Sequence, residues 1–515
     1  MDRLSDKAKA AVTLLPDKEV YGEVTKILGL LVEIVGFGQN LSIGSMVYLR
    51  PNDLIDVPCE VVGFRDGHAL LMPFGTLEGI GLGCKAVIQE KAPVIRPDDS
   101  WLGRVINGRA EAIDGLGPLR LGGHPVPLKN KPPPPHSRQR MGKQLDLGVR
   151  TVNSFLATCQ GQRMGIFSGS GVGKSVLLSM MARYTDADVS VIGLVGERGR
   201  EVQEFLEDDL GPDGLARSVV VVATGDEPAL MRRQAAYITL SIAEYFRDQG
   251  KNVLCLIDSV TRFAMAQREI GLSAGEPPTS KGYPPTTFGE LARLLERAGP
   301  GAQGQGSITG LFSVLVEGDD HNEPISDAVR GIVDGHIVMQ REIADRGRYP
   351  AINVLKSVSR AMPAALTEQQ NQIIRRAKQI ITTYEDMAEL IRLGAYRRGS
   401  DPEVDNAIAI YPQIEEFLSQ HKDEQTMIEE GFERLGTIIG MPYLSEAYMS
   451  NDLPGYDAEF EALVRQQPNE KPPEQEAAPV IEEDEQPSPD EFIEKSPFTA
   501  INKANKDNEP EVNDG

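Results

Sequence analysis

Hydrophobic positions change their spacing along this chain, and each spacing predicts a different kind of structure. Between residues 20 and 92, short apolar runs rich in Val, Ile, Leu and Gly are separated by turn signals such as RPND and RDGH. This pattern predicts a small all-β module. Between about residues 145 and 360, apolar runs alternate with helix-like segments; the runs include MGIFSG, VSVIGLVG, SVVVVATG and NVLCLIDS. Such alternation predicts an α/β fold with a mostly parallel sheet that carries helices on both faces.

Polar and proline-rich stretches mark where these regions end. Four consecutive prolines within residues 129–140 forbid a helix and favour an extended connector, so we place a domain boundary near them. Residues 365–450 carry apolar positions at helical spacing, which predicts a helical third domain. The last 50 residues hold 14 acidic and 4 basic side chains with 8 prolines, which predicts a disordered tail. A solvated extension is a simpler interpretation of this tail than a binding arm. The predicted division is an N-terminal segment 1–19, a β module 20–95, a linker and lead-in 96–144, a core 145–362, a helical domain 363–455 and an acidic tail 466–515.

Composition narrows the classes of function. The chain has 515 residues, 40% of them hydrophobic and 25% charged, so it can bury a sizeable core in about two or three domains. A formal net charge of −23 argues against a general nucleic-acid binder, although a local basic groove stays open. The four cysteines lie too far apart for metal-ligand pairs and are too few to staple the chain, which favours a reducing cytoplasm. The N-terminal sequence and the longest apolar stretch indicate neither a secretory signal nor a membrane span.

The stretch SGSGVGKS at residues 168–175 follows an apolar strand-like run and precedes a helix-like run. Its glycines let successive backbone N–H groups surround a phosphate, and the following helix points its positive end at the same charge. Lys174 would neutralise the β and γ phosphate oxygens, and Ser175 would bind magnesium. An accidental glycine-rich turn is the alternative, and a serine stands where the motif usually has its first glycine. The predicted nucleotide-binding residues are Ser168, Gly169, Ser170, Gly171, Val172, Gly173, Lys174, Ser175 and Val176.

Nucleotide hydrolysis also needs an acid that organises magnesium, a group that orients water and a cation for the developing charge. Asp258 ends the apolar run NVLCLID, where its carboxylate can reach a metal through water; a helix cap has the same geometry. Glu197 directly follows another apolar run and is positioned to polarise water, with Arg198 beside it. A Glu–Arg pair after a strand is also commonly a surface ion pair. The hypothesis that Glu197 polarises water therefore depends on the spacing of this pair to the other motifs.

Several motifs occur in an order that resembles one family. They are GSGVGKS, GERGREV, LIDSVTRFA, GYPPTTFGELARLLERAG, GSITGLFSVLVEGDD and YPAINVLKSVSR. In this order they resemble the flagellar branch of the type III protein export ATPases, relatives of the catalytic subunits of rotary ATP synthases, across residues 20–450. The resemblance implies a P-loop, RecA-like or F1-type ATPase core with an N-terminal β-barrel and a C-terminal helical domain. It also implies ATP as substrate, with Mg²⁺.

The resemblance also assigns roles to individual residues. Glu197 is similar to the catalytic carboxylate of the family, and Asp258 to the aspartate that organises magnesium. Arg198 resembles the neighbouring arginine that senses the γ-phosphate across the site. Tyr349 resembles the aromatic residue that stacks on adenine, and Arg360 resembles the arginine finger that an adjacent subunit donates. Core packing for the tyrosine and a structural ion pair for Arg360 are the alternatives that the residues alone leave open.

Assembly and partners follow from the same resemblance. Because the chain carries both Glu197 and Arg360, one polypeptide could build every active interface, which predicts a homo-oligomeric ring, by family a hexamer. The family implies a dimeric regulator of the export gate at the N-terminus and a coiled-coil stalk protein in the ring pore. It also implies export substrates and chaperones as partners. We expect a cytoplasmic protein that is peripherally associated with the membrane at the export apparatus.

Four other functions stay open. A virulence injectisome ATPase shares the catalytic residues, although MMARYTDADV and SRAMP look more like the flagellar branch. A proton-driven ATP synthase subunit is disfavoured because residues 388–408 resemble the export branch. They lack the run of acidic residues that the synthase subunit has in this region. A non-catalytic nucleotide-binding scaffold should lack Glu197. A hexameric RNA helicase is disfavoured because the N-terminal module has few aromatic residues between basic ones and the charge is negative.

Overall fold

The computed structural model describes most of the chain between the two termini. The described residues are 21–37, 41–52, 55–88, 93–316, 318 and 323–443. The predictions for the N-terminal segment 1–19 and the acidic tail 466–515 lie outside them. Within the described residues, no helix is both long and apolar enough to span a membrane.

The first described region is a closed antiparallel barrel, which confirms the barrel that the family resemblance implied. Its strands are β1 (Tyr21–Leu28), β2 (Leu31–Val35), β3 (Met46–Asn52), β4 (Ile55–Arg65), β5 (His68–Pro73) and β6 (Lys85–Ile88). They follow the order β1-β2-β5-β4-β3-β6, and β1 pairs with β6 to close the ring. Alternate side chains such as Val32, Leu49 and Val61 fill the interior and are fully buried.

The central region is one nine-stranded sheet, as the alternating pattern predicts. The remaining strands are β7 (Val94–Ile95), β8 (Val105–Asn107), β9 (Val126–Pro127), β10 (Arg163–Ser168), β11 (Val189–Glu197), β12 (Ser218–Thr224), β13 (Asn252–Asp258), β14 (Gly299–Pro300), β15 (Ser307–Leu315), β16 (Gly335–Met339) and β17 (Val358–Ser359). The sheet runs β17-β16-β10-β15-β13-β11-β12-β8, with β14 beside β15, while β7 and β9 form a separate pair. Every pairing in it is parallel except those of β14 and β17. Strand β8 precedes the proline run in sequence and still joins this sheet.

Helices cover the sheet and form the C-terminal region. They are α1 (Arg150–Phe155), α2 (Lys174–Tyr184), α3 (Gly199–Glu204), α4 (Gly211–Ala216), α5 (Ala229–Asp248), α6 (Val260–Ala274), α7 (Pro285–Leu295), α8 (Pro324–Ile332), α9 (Arg341–Asp345), α10 (Glu368–Arg392), α11 (Pro402–Leu418) and α12 (Ile428–Ile438). Short 3₁₀ turns lie at Asp99–Trp101 and Ser280–Gly282, and a π-helical segment lies at Phe205–Leu210.

Both faces of the sheet are buried, which explains why its strands are continuous apolar runs. Side chains alternate between the faces: in β13, Leu254 and Leu256 pack into one hydrophobic core, and Cys255 and Ile257 into the other. The first core includes α2 and helices α10 to α12, and the second includes α5 to α8. The sheet is therefore held rigidly between two layers, and its strand ends are fixed points for a site.

The C-terminal region is helical, as its periodicity predicts. Helix α10 starts with a capping box in which the Thr367 side chain accepts from the Gln370 N–H and the Gln370 side chain accepts from the Thr367 N–H. Its buried residues Ile373, Ala377 and Ile380 recur at helical spacing and face the first core. The three helices α10 to α12 therefore pack on the core beside the sheet.

The barrel packs on the core through a buried polar contact inside an apolar patch. Glu60 of β4 forms an ion pair with Arg233 of α5, and the side chains of both residues are less than a tenth exposed. Around them, Met72 and Phe74 of the barrel pack with Leu230 and Ile270 of the core. Either charge would be costly to bury without the other. The ion pair therefore fixes the position of the barrel on α5.

Candidate active site

The candidate site lies where three parallel strands end at the same edge of the sheet. Strand β10 ends at Ser168, β11 at Glu197 and β13 at Asp258. In parallel α/β sheets, ligands bind at this carboxyl edge, because the loops that follow the strands meet there. The structure thus brings together the phosphate loop and both acidic residues that the sequence singles out.

The phosphate loop connects β10 to the start of α2 at Lys174. Gly173 adopts a left-handed conformation with φ of 87°, which side chains rarely tolerate. A Cβ atom at this position would lie 3.4 Å from ring carbons of Tyr349. The ring of Tyr349 therefore lies against the phosphate loop, and the residue is 47% exposed.

Lys174 is the centre of a buried polar cluster. Its ammonium forms an ion pair with Asp258 and lies 3.8 Å from a carboxylate oxygen of Glu197. The hydroxyl of Ser313, on β15, donates to Asp258 at 2.6 Å and lies 3.5 Å from the Lys174 nitrogen. One cation therefore faces two carboxylates in a largely desolvated site, where electrostatic interactions are strong.

Glu197 differs electrostatically from its neighbours. Burial, the negative charge of Asp258 and contacts with Glu201 together raise its pKa to about 7, against the lowering effect of Lys174. A carboxyl group with a pKa near neutrality can exchange protons at physiological pH, as a group that polarises water must.

A cleft of 580 Å³ opens over this cluster. Glu197, Arg198 and Arg341 line it, together with Gly169, Ser170, Gly171, Gly173, Lys174, Ser175 and Val176 of the loop. The side chains of Ser168 and Val172, which were also predicted to bind nucleotide, are buried and do not line the cleft: Ser168 is the last residue of β10, and Val172 packs into the core.

The two predicted arginines lie in different places. Arg198 is at the mouth of the cleft, where its guanidinium bonds Glu201 at 3.1 Å and is 84% exposed. Arg360 follows the edge strand β17 and is exposed. Among the described residues no side-chain partner of Arg360 is found, and it does not line the cleft of its own chain.

Three further residues contribute to the site without having been predicted. Ser313 holds Asp258, Arg341 donates to the backbone oxygen of Ser170 at 2.8 Å, and Arg262 lines the cleft from α6. Arg262 lies so close to Gly196 that a Cβ there would be 2.7 Å from the arginine Cβ. Two of them lie in motifs that carry the family resemblance, Arg262 in LIDSVTRFA and Ser313 in GSITGLFSVLVEGDD, although neither was given a role; Arg341 lies in none of those motifs.

This geometry defines a class of protein: a P-loop nucleotide-binding enzyme on a parallel α/β core. Comparison with known families agrees. The nucleotide-binding domain of the ATP synthase alpha/beta family matches residues 148–359, and the C-terminal domain of the type III secretion ATPase EscN matches residues 366–437.

Individual relatives make the placement more specific. The flagellum-specific ATP synthase of Caulobacter vibrioides is 58% identical over 439 residues, covering 84% of this chain and 99% of that protein. The type 3 secretion system ATPase of Xanthomonas euvesicatoria is 45% identical over 81% of this chain and 94% of that protein. The structure of the assembled ATPase EscN from enteropathogenic Escherichia coli has a TM-score of 0.76 at 40% identity, covering 81% of this chain and all of that one. The chain therefore belongs to the ATP synthase alpha/beta family, in its branch of flagellum-specific and type III secretion ATPases, and it is an ATPase.

Proposed function

We propose that this ATPase energises flagellar type III protein export by hydrolysing ATP with magnesium at the interfaces of a homohexameric ring. The observation that carries the catalytic part is the cluster of Lys174, Asp258 and Glu197 at the mouth of the phosphate loop. The flagellar part rests on the curated relatives, whose names include flagellum-specific ATP synthases from Caulobacter vibrioides and Bacillus subtilis.

The residues of the cluster fit a magnesium nucleotide. Ser175 and Asp258 carry the oxygen atoms that magnesium prefers, and they would hold the ion, Asp258 through water. Among the described residues no group of three His, Cys, Asp or Glu side chains gathers to hold a metal alone, so the phosphates must complete the site. When bound, the ion neutralises charge on the transferring phosphoryl group.

The residues of the candidate site then have separate roles in hydrolysis. Lys174, which is paired with Asp258 in this structure, would contact the β and γ phosphates, and Asp258 would then face the metal. Glu197 orients the attacking water and accepts its proton in part, which its pKa near 7 permits. Tyr349 stacks on the adenine, and Arg198 at the mouth of the cleft senses the γ-phosphate.

The position of Arg360 supports a ring assembly. It is exposed at the edge of the sheet and does not reach the cleft of its own chain, so it is free to enter the cleft of a neighbour. An arginine supplied in trans is worth about 10³- to 10⁵-fold in rate, so activity should depend on assembly.

The partners are proposed from relatives. The EscN structure with a TM-score of 0.75 contains the central stalk EscO, which supports a coiled-coil stalk in the pore of this ring. We also propose an export-gate regulator at residues 1–19, export substrates with their chaperones, and a cytoplasmic location at the inner face of the membrane. A role in an injectisome is the second candidate, because a type 3 secretion system ATPase is also 45% identical.

Two measurements test this function. Phosphate release from MgATP, measured over a range of protein concentrations, should show a specific activity that rises with concentration and is absent in Lys174→Ala. A constant specific activity would contradict the ring. Expression in a flagellated bacterium that lacks its own export ATPase should restore secretion of flagellar subunits; restoration only in a strain lacking an injectisome ATPase would favour the second candidate.

A further inference from the structure

The loop between α11 and α12 is bonded directly to the tyrosine of the candidate site. The backbone N–H of Gln420 donates to the backbone oxygen of Tyr349 at 2.8 Å. Next to it, Arg348 forms an ion pair with Glu415 of α11 at 3.1 Å. The helical domain thus holds the adjacent residues Arg348 and Tyr349, in addition to the bond that ties their segment to β16 through Asn353 and Val338.

The side chain of Gln420 fixes the backbone that makes this bond. Its oxygen accepts from the N–H of Arg150 at 2.8 Å, and its nitrogen donates to the oxygens of Gly148 at 2.8 Å and Glu424 at 2.7 Å. Gln420 is only 5% exposed. Every polar group of this buried side chain is therefore satisfied, so its orientation is well determined.

Arg150 secures the same joint from the core side. This arginine is 2% exposed, and its guanidinium donates to the backbone oxygens of Phe417 and Ser419 and pairs with Glu424. Arg150 begins α1 and is therefore fixed to the core that carries the phosphate loop. The joint ties together the core, the helical domain and the oxygen of Tyr349.

We propose that Gln420 is a positioning residue for the base of the nucleotide. Through its backbone N–H it holds Tyr349 over the phosphate loop, and through its side chain it makes that position depend on how the helical domain sits on the core. Any movement of the helical domain that breaks this joint would weaken the binding of the base to Tyr349 and leave the phosphate contacts intact. This inference rests on the proposed role of Tyr349 as the adenine seat.

Substitution of Gln420 by methionine removes all three side-chain hydrogen bonds at nearly constant volume. We expect the KM for ATP to rise about five-fold or more, within the roughly 100-fold limit that loss of a base stack can cost. The kcat should change less than about two-fold. Inhibition by inorganic tripolyphosphate, which has no base, should keep the same inhibition constant. The control is Gln413→Met, an exposed glutamine on α11, which should leave all three quantities unchanged.

A double variant separates positioning from mere structural support. In a Tyr349→Ala background, Gln420→Met should raise the KM no further, because the group that it positions is gone. Gln420→Asn keeps both the amide acceptor and the amide donor on a side chain one methylene shorter, buries no charge and should give an intermediate KM, which also covers the case in which the methionine variant folds poorly. An additive effect in the double variant, or weaker tripolyphosphate inhibition, would overturn the proposal. An unchanged KM in Tyr349→Ala alone would instead refute the proposed adenine seat.

Discussion

Glu197→Gln is predicted to lower turnover sharply and to stabilise the nucleotide-free protein at alkaline pH. Glu197 is 15% exposed, and burial is the main cause that raises its pKa from 4.5 to about 7. Below pH 4.5, a carboxyl group with a raised pKa does not lower the free energy of unfolding, because it is protonated in both the folded and the unfolded state. Between pH 4.5 and 7 the unfolded chain loses the proton first, so the folded state loses relative stability as pH rises.

The magnitude follows from the size of the shift. At about 1.4 kcal/mol per pKa unit, the penalty above pH 7 is at most about 3 kcal/mol, and about 2 kcal/mol after allowance for partial exposure. Glutamine has the same shape and no charge to bury, so the variant should escape this penalty. Catalysis should fall about 10²- to 10⁴-fold, the usual contribution of a general base.

Urea unfolding at pH 5 and pH 8, without nucleotide or magnesium, measures the stability difference. The variant should be more stable by about 2 kcal/mol at pH 8 and by less than about 1 kcal/mol at pH 5. The control is Glu204→Gln, an exposed partner of Arg200 on α3, which should change neither stability nor phosphate release appreciably. An equal gain at both pH values would refute the burial argument, and retained turnover would refute the role of Glu197 in hydrolysis.

The remaining predictions concern residues around the site and the barrel. Arg341→Ala removes the bond to the backbone oxygen of Ser170 and should raise the KM for ATP several-fold with little change in kcat, measured by steady-state kinetics. A fall in kcat at unchanged KM would contradict this role and indicate a misfolded fraction. Gly173→Ala forces a side chain into a left-handed conformation and should weaken nucleotide binding, measured by titration with fluorescent ADP; wild-type affinity would show that the loop relaxes. Arg233→Met leaves Glu60 buried without a partner and should lower the free energy of unfolding by about 3–5 kcal/mol in urea, whereas a loss below about 1 kcal/mol would mean that water reaches the carboxylate.

The sequence was sufficient for the features that depend on local pattern. The parallel sheet was predicted because both faces of its strands are buried, which leaves continuous apolar runs. The phosphate loop, Glu197 and Asp258 were singled out because each follows an apolar run. The parallel sheet brings the ends of these runs to one edge, where Lys174 contacts both acids. The family resemblance supplied Tyr349, which the structure places against Gly173.

Other features depend on contacts between distant parts of the chain. The bond between Arg150 and Gln420 spans 270 residues, and neither residue carries a motif. Ser313 lies within an apolar strand, so nothing in its neighbours distinguishes it from a packed hydroxyl until Asp258 is placed beside it. The role proposed for Arg360 involves a second subunit, so it follows from the family resemblance and not from contacts within one chain.

The central claim is an active site shared between identical subunits, and mixing two inactive variants tests it most directly. Glu197→Gln and Arg360→Ala should each release little phosphate alone, because every interface in either ring lacks one essential group. In an equimolar mixture, about one interface in four combines a wild-type Glu197 with a wild-type Arg360 from its neighbour, so the mixture should recover up to roughly a quarter of wild-type activity. Activity that stays at the level of the separate variants would contradict a homo-oligomer with Arg360 supplied in trans.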